Sequence, residues 1–160
     1  ISQLKKITVK KGTILQRKGD TNSKVYFVES GLLRSYTIDE KGKEHIYMFG
    51  PENWLVTDNC KPETPCQLFI DAIEDSVLNV ASKEEMLKET PDFNALFRRL
   101  NSMQNRIVML MSSSAKERYE HFVETYPNII PRVPLKMVAS YLGITPEALS
   151  RVRNELSKKK

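Results

Sequence analysis

Near the C-terminus, Thr145, Glu147, Ser150, Arg151, Arg153 and Asn154 are of the residue types that read the edges of a nucleic-acid duplex. An Arg presents two donors to a guanine edge, a Glu accepts from the cytosine amino group, and Ser or Thr bonds to phosphate or base. If a helix starts after Thr145, then Thr145, Glu147, Ser150, Arg151 and Asn154 point outward, with Arg153 as a further basic group on that helix. Any surface helix carries exposed polar residues, so the weight of this pattern depends on what holds the helix.

Residues 135–154 meet the requirements of a helix-turn-helix. Ala139 is small where two helices would cross closely, and Gly143 stands where the first helix needs a left-handed residue to end. Val138, Leu142, Ile144, Leu149 and Val152 fill the positions that must be apolar for the two helices to pack. Thr145 can cap the second helix, with Pro146 in its first turn.

Charge distribution agrees with this reading. Of 25 basic and 20 acidic residues, seven and two fall in residues 132–160, leaving 18 of each in residues 1–131. The net charge of +5 therefore lies in the last 29 residues. A neutral body with a basic end suits contact with a polyanion, where Lys and Arg supply affinity independent of sequence. Taken alone, a Lys-rich terminus is more often a solvated tail.

The 160 residues, 40% hydrophobic and 28% charged, are within the globular range, and collagen, low-complexity disorder and disulfide scaffolds are excluded. The longest apolar run, Ile107–Met111, is far short of a spanning helix. Nothing near Ile1 reads as a secretion signal, and the absence of an initial Met means that residues can precede it. A soluble, cytoplasmic chain with no membrane association is expected.

Before the basic end, two element types are legible. From Ile7 to Ala81 short β-branched and aromatic runs (24–29, 32–38, 44–49, 67–73, 77–81) are separated by turn formers such as Lys18-Gly-Asp20 and Lys41-Gly42. Such spacing predicts an antiparallel roll, barrel or sandwich. After Ala81 the period becomes helical, and helices are predicted at about 83–89, 91–111, 115–125, 134–142 and 146–157. Ser82-Lys-Glu-Glu85 and Ser114-Ala-Lys-Glu117 have the form of capping boxes, and Thr90-Pro91 pairs an N-cap type with Pro at the first helical position.

Within 91–111, Phe93, Leu100 and Ile107 recur every seven residues, as do Leu96, Met103 and Leu110. This is the a/d seam of a left-handed coiled coil over three heptads, and it points to dimerisation. Phe97, Val108 and Met111 widen the apolar face enough for the helix also to pack on its own domain.

A β-roll, a long seam helix and a C-terminal helix-turn-helix, in that order, resemble the Crp/Fnr superfamily of bacterial transcription regulators. The most specific part is Ser114–Leu156, where Ala115-Lys-Glu-Arg-Tyr119, Tyr126-Pro127, Arg132-Val-Pro134 and residues 139–147 resemble the Bacteroidetes-type version. The resemblance implies an α+β fold with a jelly-roll-like, cyclic-nucleotide-binding-like effector domain (1–90), a dimerisation helix (91–113) and a DNA-binding domain (114–160). It also implies a homodimer on double-stranded DNA, base contacts from Glu147 and Arg151, and RNA polymerase as a further partner. The family's β-wing is not expected within a sequence that ends at Lys160.

One departure from the family stands out. Members that bind cyclic AMP hold its phosphate with a Gly-Glu pair followed, after a short turn, by Arg-Ser. The matching effector-pocket positions here are Thr57, Asp58, Cys66 and Gln67. No Arg occurs between Arg34 and Arg98, so the bidentate clamp is missing and the usual mode of cyclic AMP binding is not expected.

Other classes are weaker. A metal-dependent cupin needs a cluster of His and carboxylate ligands, and only His45 and His121 exist. Cys60 and Cys66 are too few for a four-thiolate iron–sulfur cluster, though a disulfide between them stays open. No Ser-His-Asp order, P-loop or GxGxxG is present, and neither an enzyme, a metal nor a cofactor is indicated. The alternative of a different class is a small-molecule-binding β-roll whose helix-turn-helix serves protein contacts.

Overall fold

The computed structural model describes residues 4–88, 90 and 92–158. Eight strands come first: Lys5–Val9 (β1), Ile14–Gln16 (β2), Lys24–Ser30 (β3), Leu33–Ile38 (β4), Glu44–Gly50 (β5), Leu55–Val56 (β6), Phe69–Ala72 (β7) and Ser76–Ser82 (β8). Five helices follow: Lys83–Lys88 (α1), Phe93–Ser112 (α2), Ala115–Thr125 (α3), Leu135–Leu142 (α4) and Pro146–Ser157 (α5), with a 3-10 turn at Ile130–Arg132. The chain divides into two compact units between Pro91 and Asp92, so α2 belongs with the helices after it.

In the first unit the strands form two four-stranded antiparallel sheets, ordered β1-β8-β3-β6 and β2-β7-β4-β5. Tyr26, Val28, Leu33, Val56, Ile70, Ala72 and Leu78 make one buried cluster drawn from both sheets. Hydrophobic burial of this kind is the main driving force for closing the roll. Gly31 has φ +95°, and a Cβ there would run into the Asp75 carbonyl and Ser76, whose hydroxyl accepts the Leu32 N–H. That position needs glycine both for its dihedral and for the close approach.

The roll also buries charge and satisfies it internally. The Arg34 guanidinium donates to both Asp71 carboxylate oxygens (2.9 and 3.0 Å) and to Glu44 (2.6 Å), and it lies 4.1 Å from the Tyr36 ring centroid. Such a fork–fork pair is the strong geometry for a buried Arg.

The expected runs match β3, β4, β5, β7 and β8 to within one or two residues. The expected runs do not single out β1, which starts at Lys5, two residues before the expected β region, nor β2 and β6. The last two are three and two residues long and sit beside the Lys11-Gly12, Lys18-Gly-Asp20 and Pro51-Glu-Asn53 turn formers, which obscure a period-2 signal. Both expected capping boxes form: Ser82 with Glu85 and Ser114 with Glu117 exchange hydroxyl and carboxylate for backbone N–H groups. The start expected at Thr90-Pro91 is corrected. Asp92 is the N-cap of α2, its carboxylate accepting the Ala95 N–H at 3.1 Å, because a carboxylate satisfies that donor and complements the helix dipole as well. Glu89 and Pro91 lie outside the described residues.

Candidate nucleic-acid interface

The helix α4 ends at Gly143, whose φ of +64° is left-handed, and the Ile144 N–H reaches back to the Ala139 carbonyl at 3.1 Å. This closure satisfies carbonyls that the helix end would leave orphaned. Two residues later the Thr145 hydroxyl accepts the Ala148 N–H at 3.2 Å and starts α5, with Pro146 in the first turn. Val138, Ala139 and Leu142 of α4 and Leu149 and Val152 of α5 are buried, so four of the five apolar positions read from the sequence lie at the junction of the two helices, and the fifth, Ile144, is half-buried in the turn.

Burial of Leu149 and Val152 fixes which side of α5 remains free. Glu147, Ser150, Arg151 and Asn154 are exposed and follow an i, i+3, i+4, i+7 spacing, which makes them one stripe. Thr145 is exposed at the head of this stripe, with its hydroxyl engaged as a cap. Ser150 donates its hydroxyl proton to the Pro146 carbonyl at 3.0 Å, leaving its oxygen lone pairs for another donor. Arg153 stands apart. It is half-buried in a groove between α3 and α5, beside Glu120 and Glu124.

The support behind the helix pair comes from α2 and α3. Phe122, Tyr126 and Tyr141 form an aromatic triangle with centroids 5.3–5.5 Å apart. The Arg106 guanidinium lies 4.0 Å from the Tyr141 ring centroid and donates to the Tyr141 carbonyl. Arg118 donates to three carbonyls: Leu110 near the end of α2 (2.7 Å), Ser113 in the joint (3.0 Å) and Leu142 at the end of α4 (3.0 Å). One cation thereby closes the negative ends of two helices.

Sequence reasoning missed these two arginines. The signal for Arg118 was its place in the first turn of α3, where a cation opposes that helix's own dipole and so must be held by carbonyls from elsewhere.

Of the seam residues, Phe93, Leu96, Leu100 and Ile107 are exposed, at 63, 48, 51 and 57%, while Met103 and Leu110 are half-buried. Phe97, Val108 and Met111 are exposed too, and among the described residues of α2 only Met109 is buried. The apolar face of α2 is thus left largely uncovered along three heptads.

The effector-pocket positions lie in the roll. Asp58 is buried, and its carboxylate accepts the backbone N–H groups of Cys60 (2.9 Å), Gln67 (2.8 Å) and Leu68 (2.8 Å). Burial alone would raise its pKa. The three N–H bonds outweigh that cost and hold the carboxyl below the usual carboxylate range. Thr57 donates its hydroxyl to the Lys24 carbonyl, Cys66 is buried and Gln67 is exposed. These four positions contain a carboxylate and no cation. His45 is away from them, 2.7 Å from Asp39 near the tip of the β4–β5 hairpin.

The sequence profile of the cyclic nucleotide-binding domain matches residues 6–90, which is more than half of the chain. The chain belongs to the cyclic nucleotide-binding domain family. Over nearly its whole length this domain protein is similar to Crp/Fnr regulators. It is 27% identical over 173 residues to the fumarate and nitrate reduction regulatory protein of Escherichia coli (strain K12), covering 96% of this chain and 69% of that protein. It is 24% identical over 177 residues to the anaerobic regulatory protein of Haemophilus influenzae, covering 96% and 67%. Among solved structures, FixK2 from Bradyrhizobium japonicum superposes with a TM-score of 0.78 at 19% identity, covering 98% of this chain and 85% of that one. A CRP/FNR-family transcriptional regulator from Thermus thermophilus gives 0.74 at 19% identity, covering 97% and 87%. The α+β fold with two antiparallel sheets and C-terminal helices is that of these structures. Among the described residues, no helix is long and apolar enough to cross a membrane.

Proposed function

We propose that this chain is a sequence-specific transcription regulator that binds double-stranded DNA as a homodimer. The observation that carries the reading is the exposed stripe Glu147–Ser150–Arg151–Asn154 on a helix whose other side is buried. The capped start at Thr145 and the junction behind Leu149 and Val152 hold that stripe rigid. Groups positioned in this way lose little further freedom on entering a major groove. Arg151 and Glu147 supply base-edge contacts, and the exposed Lys158 supplies sequence-independent attraction, while Arg153, facing Glu120 and Glu124, contributes least; Lys159 and Lys160 lie outside the described residues. The named functions of the relatives support the same reading.

The uncovered face of α2 supports a second copy as its occupant. Phe93, Leu96, Leu100, Met103, Ile107 and Leu110 would pair along a seam, and two copies of α5 would enter successive major grooves about 34 Å apart on a pseudo-palindromic site.

In the roll, Cys66 stands where the arginine would clamp a cyclic nucleotide phosphate, and Gln67 stands where the serine would be. The neighbouring Asp58 carboxylate already takes the Gln67 and Leu68 N–H groups. The usual mode of cyclic AMP binding is therefore disfavoured by the missing clamp. Calorimetric titration should give no heat of binding, and a micromolar dissociation constant would contradict this part of the reading.

Selection of bound duplexes from a random pool tests the whole. A recovered two-fold-symmetric site supports the reading, and recovery of no sequence above background would sink it. Failure would leave the protein-contact alternative.

A further inference from the structure

We propose that Cys60 and Cys66 form a peroxide-oxidisable dithiol, a covalent modification site in the 57–68 loop of the roll. Their Sγ atoms are 3.7 Å apart, so an approach of about 1.7 Å makes a disulfide bond. Asp58 holds the two cysteines together. One of its oxygens takes the Cys60 N–H and the other takes the Gln67 and Leu68 N–H groups, so a single buried carboxylate ties both ends of the 60–66 segment. Backbone bonds from the Cys66 N–H to the Asp20 carbonyl and from the Gly19 N–H to the Cys66 carbonyl anchor the second cysteine.

Lys83 gives the pair its chemistry. Its side chain is buried, and its ammonium donates to the Cys60 carbonyl oxygen (2.7 Å) and the Cys60 sulfur (3.0 Å) rather than to a carboxylate. Buried charges are normally paired, and the Cys60 sulfur and carbonyl are the groups placed against this ammonium. The thiolate is the form that attacks an oxidant. Cys60 is half-buried and reachable, whereas Cys66 is deeply buried. Burial pushes the Cys66 thiol up to about 11, which keeps it protonated and unreactive until Cys60 has been oxidised.

In the first step the Cys60 thiolate attacks one peroxide oxygen. The O–O bond breaks, and the released hydroxide takes a proton to become water, leaving a sulfenic acid. Cys66 sulfur then attacks Cys60 sulfur. The S–S bond forms as the S–O bond breaks, and the departing hydroxide carries off the Cys66 proton as a second water. Two thiols and one peroxide become one disulfide and two waters, with both electrons passing to the peroxide.

Asp58, Cys60 and Cys66 also place their ligand atoms within 4.8 Å of one another, which raises a metal site as the competing reading. Against it, both Asp58 oxygens are occupied by N–H donors, and a fixed ammonium sits against one of the two sulfurs.

The test uses the full chain, reduced and then treated with equimolar hydrogen peroxide, followed by peptide mapping without reductant. A 60–66 crosslink with the loss of two hydrogen atoms is expected. In Cys66→Ser, Cys60 should instead stop as a sulfenic acid that a dimedone probe traps. Lys83→Met should slow the reaction of Cys60 by about tenfold, and Lys83→Arg should restore most of it. Comparing thermal midpoints of the reduced variants separates a slower reaction from misfolding, and the Lys83→Arg rate serves if Lys83→Met fails to fold. Over-oxidation of Cys60 with Cys66 still titratable as a thiol, only intermolecular disulfides, or tight zinc binding that protects both thiols would each overturn the proposal.

Discussion

The two compact units use polar groups in opposite ways. In the roll, the strongest charges are turned inward and matched: Arg34 with Asp71 and Glu44, and Asp58 with three backbone N–H groups. In the helical unit, inward cations such as Arg106 and Arg118 serve carbonyls and aromatic faces, while Glu147, Arg151 and Asn154 are left on the surface with the apolar seam of α2. Inward groups such as Arg34 and Asp58, already matched, offer little to a charged ligand. A unit that keeps a rigid polar stripe exposed carries standing capacity for a polyanion.

The contrast can be broken most severely at Arg34. Arg34→Ala leaves Asp71, 13% exposed, as an uncompensated buried charge, and should cost about 3–5 kcal/mol of stability. Urea unfolding measures it, and a loss below about 1 kcal/mol would mean that the roll does not depend on its internal pairing. On the helical side, Leu100→Asp combined with Ile107→Asp should weaken self-association by about 2–4 kcal/mol. Thermal stability of the monomer should change little, since both side chains are more than half exposed. Sedimentation equilibrium checks this, and an unchanged dimer fraction would remove α2 from the interface.

Arg151→Ala should cost about 1–3 kcal/mol of specific DNA affinity and relax preference at one base pair, while altering stability by less than about 0.5 kcal/mol. Equal weakening on all sequences would show a phosphate contact only. Gly143→Ala meets only ordinary contacts at Arg118 and Leu110, so its cost, about 1–2 kcal/mol of stability, comes from the left-handed φ. Last is a pH effect at Asp58. Its folded carboxyl lies below the usual range, so its stabilising contribution is complete above the unfolded value near pH 4. That contribution is lost as pH falls through the lower folded value. Unfolding midpoints measured at successive acid pH values should show this loss in the parent and not in Asp58→Asn.

The helix pair was legible because local and tertiary demands coincide there. Gly143 ends one helix, Thr145 caps the next, and Val138, Leu142, Leu149 and Val152 are buried at the junction between them. The capping boxes at Ser82 and Ser114 were legible for the same reason. What escaped depends on partners distant in sequence. Arg118 binds carbonyls 5, 8 and 24 residues away, and Asp58 gathers N–H groups from a loop up to ten residues on. Neither has a local period. The thiol contact in the roll is likewise set by that carboxylate rather than by the spacing of the two cysteines.

Binding to a selected duplex and to its scrambled counterpart, titrated with salt, decides between a DNA regulator and a protein-contact module. Affinity for both should fall by about tenfold or more between about 50 and 200 mM salt. At every salt concentration the selected duplex should keep a margin that Arg151→Ala removes. Binding insensitive to salt, or equal affinity for the two duplexes, would contradict the DNA-regulator reading.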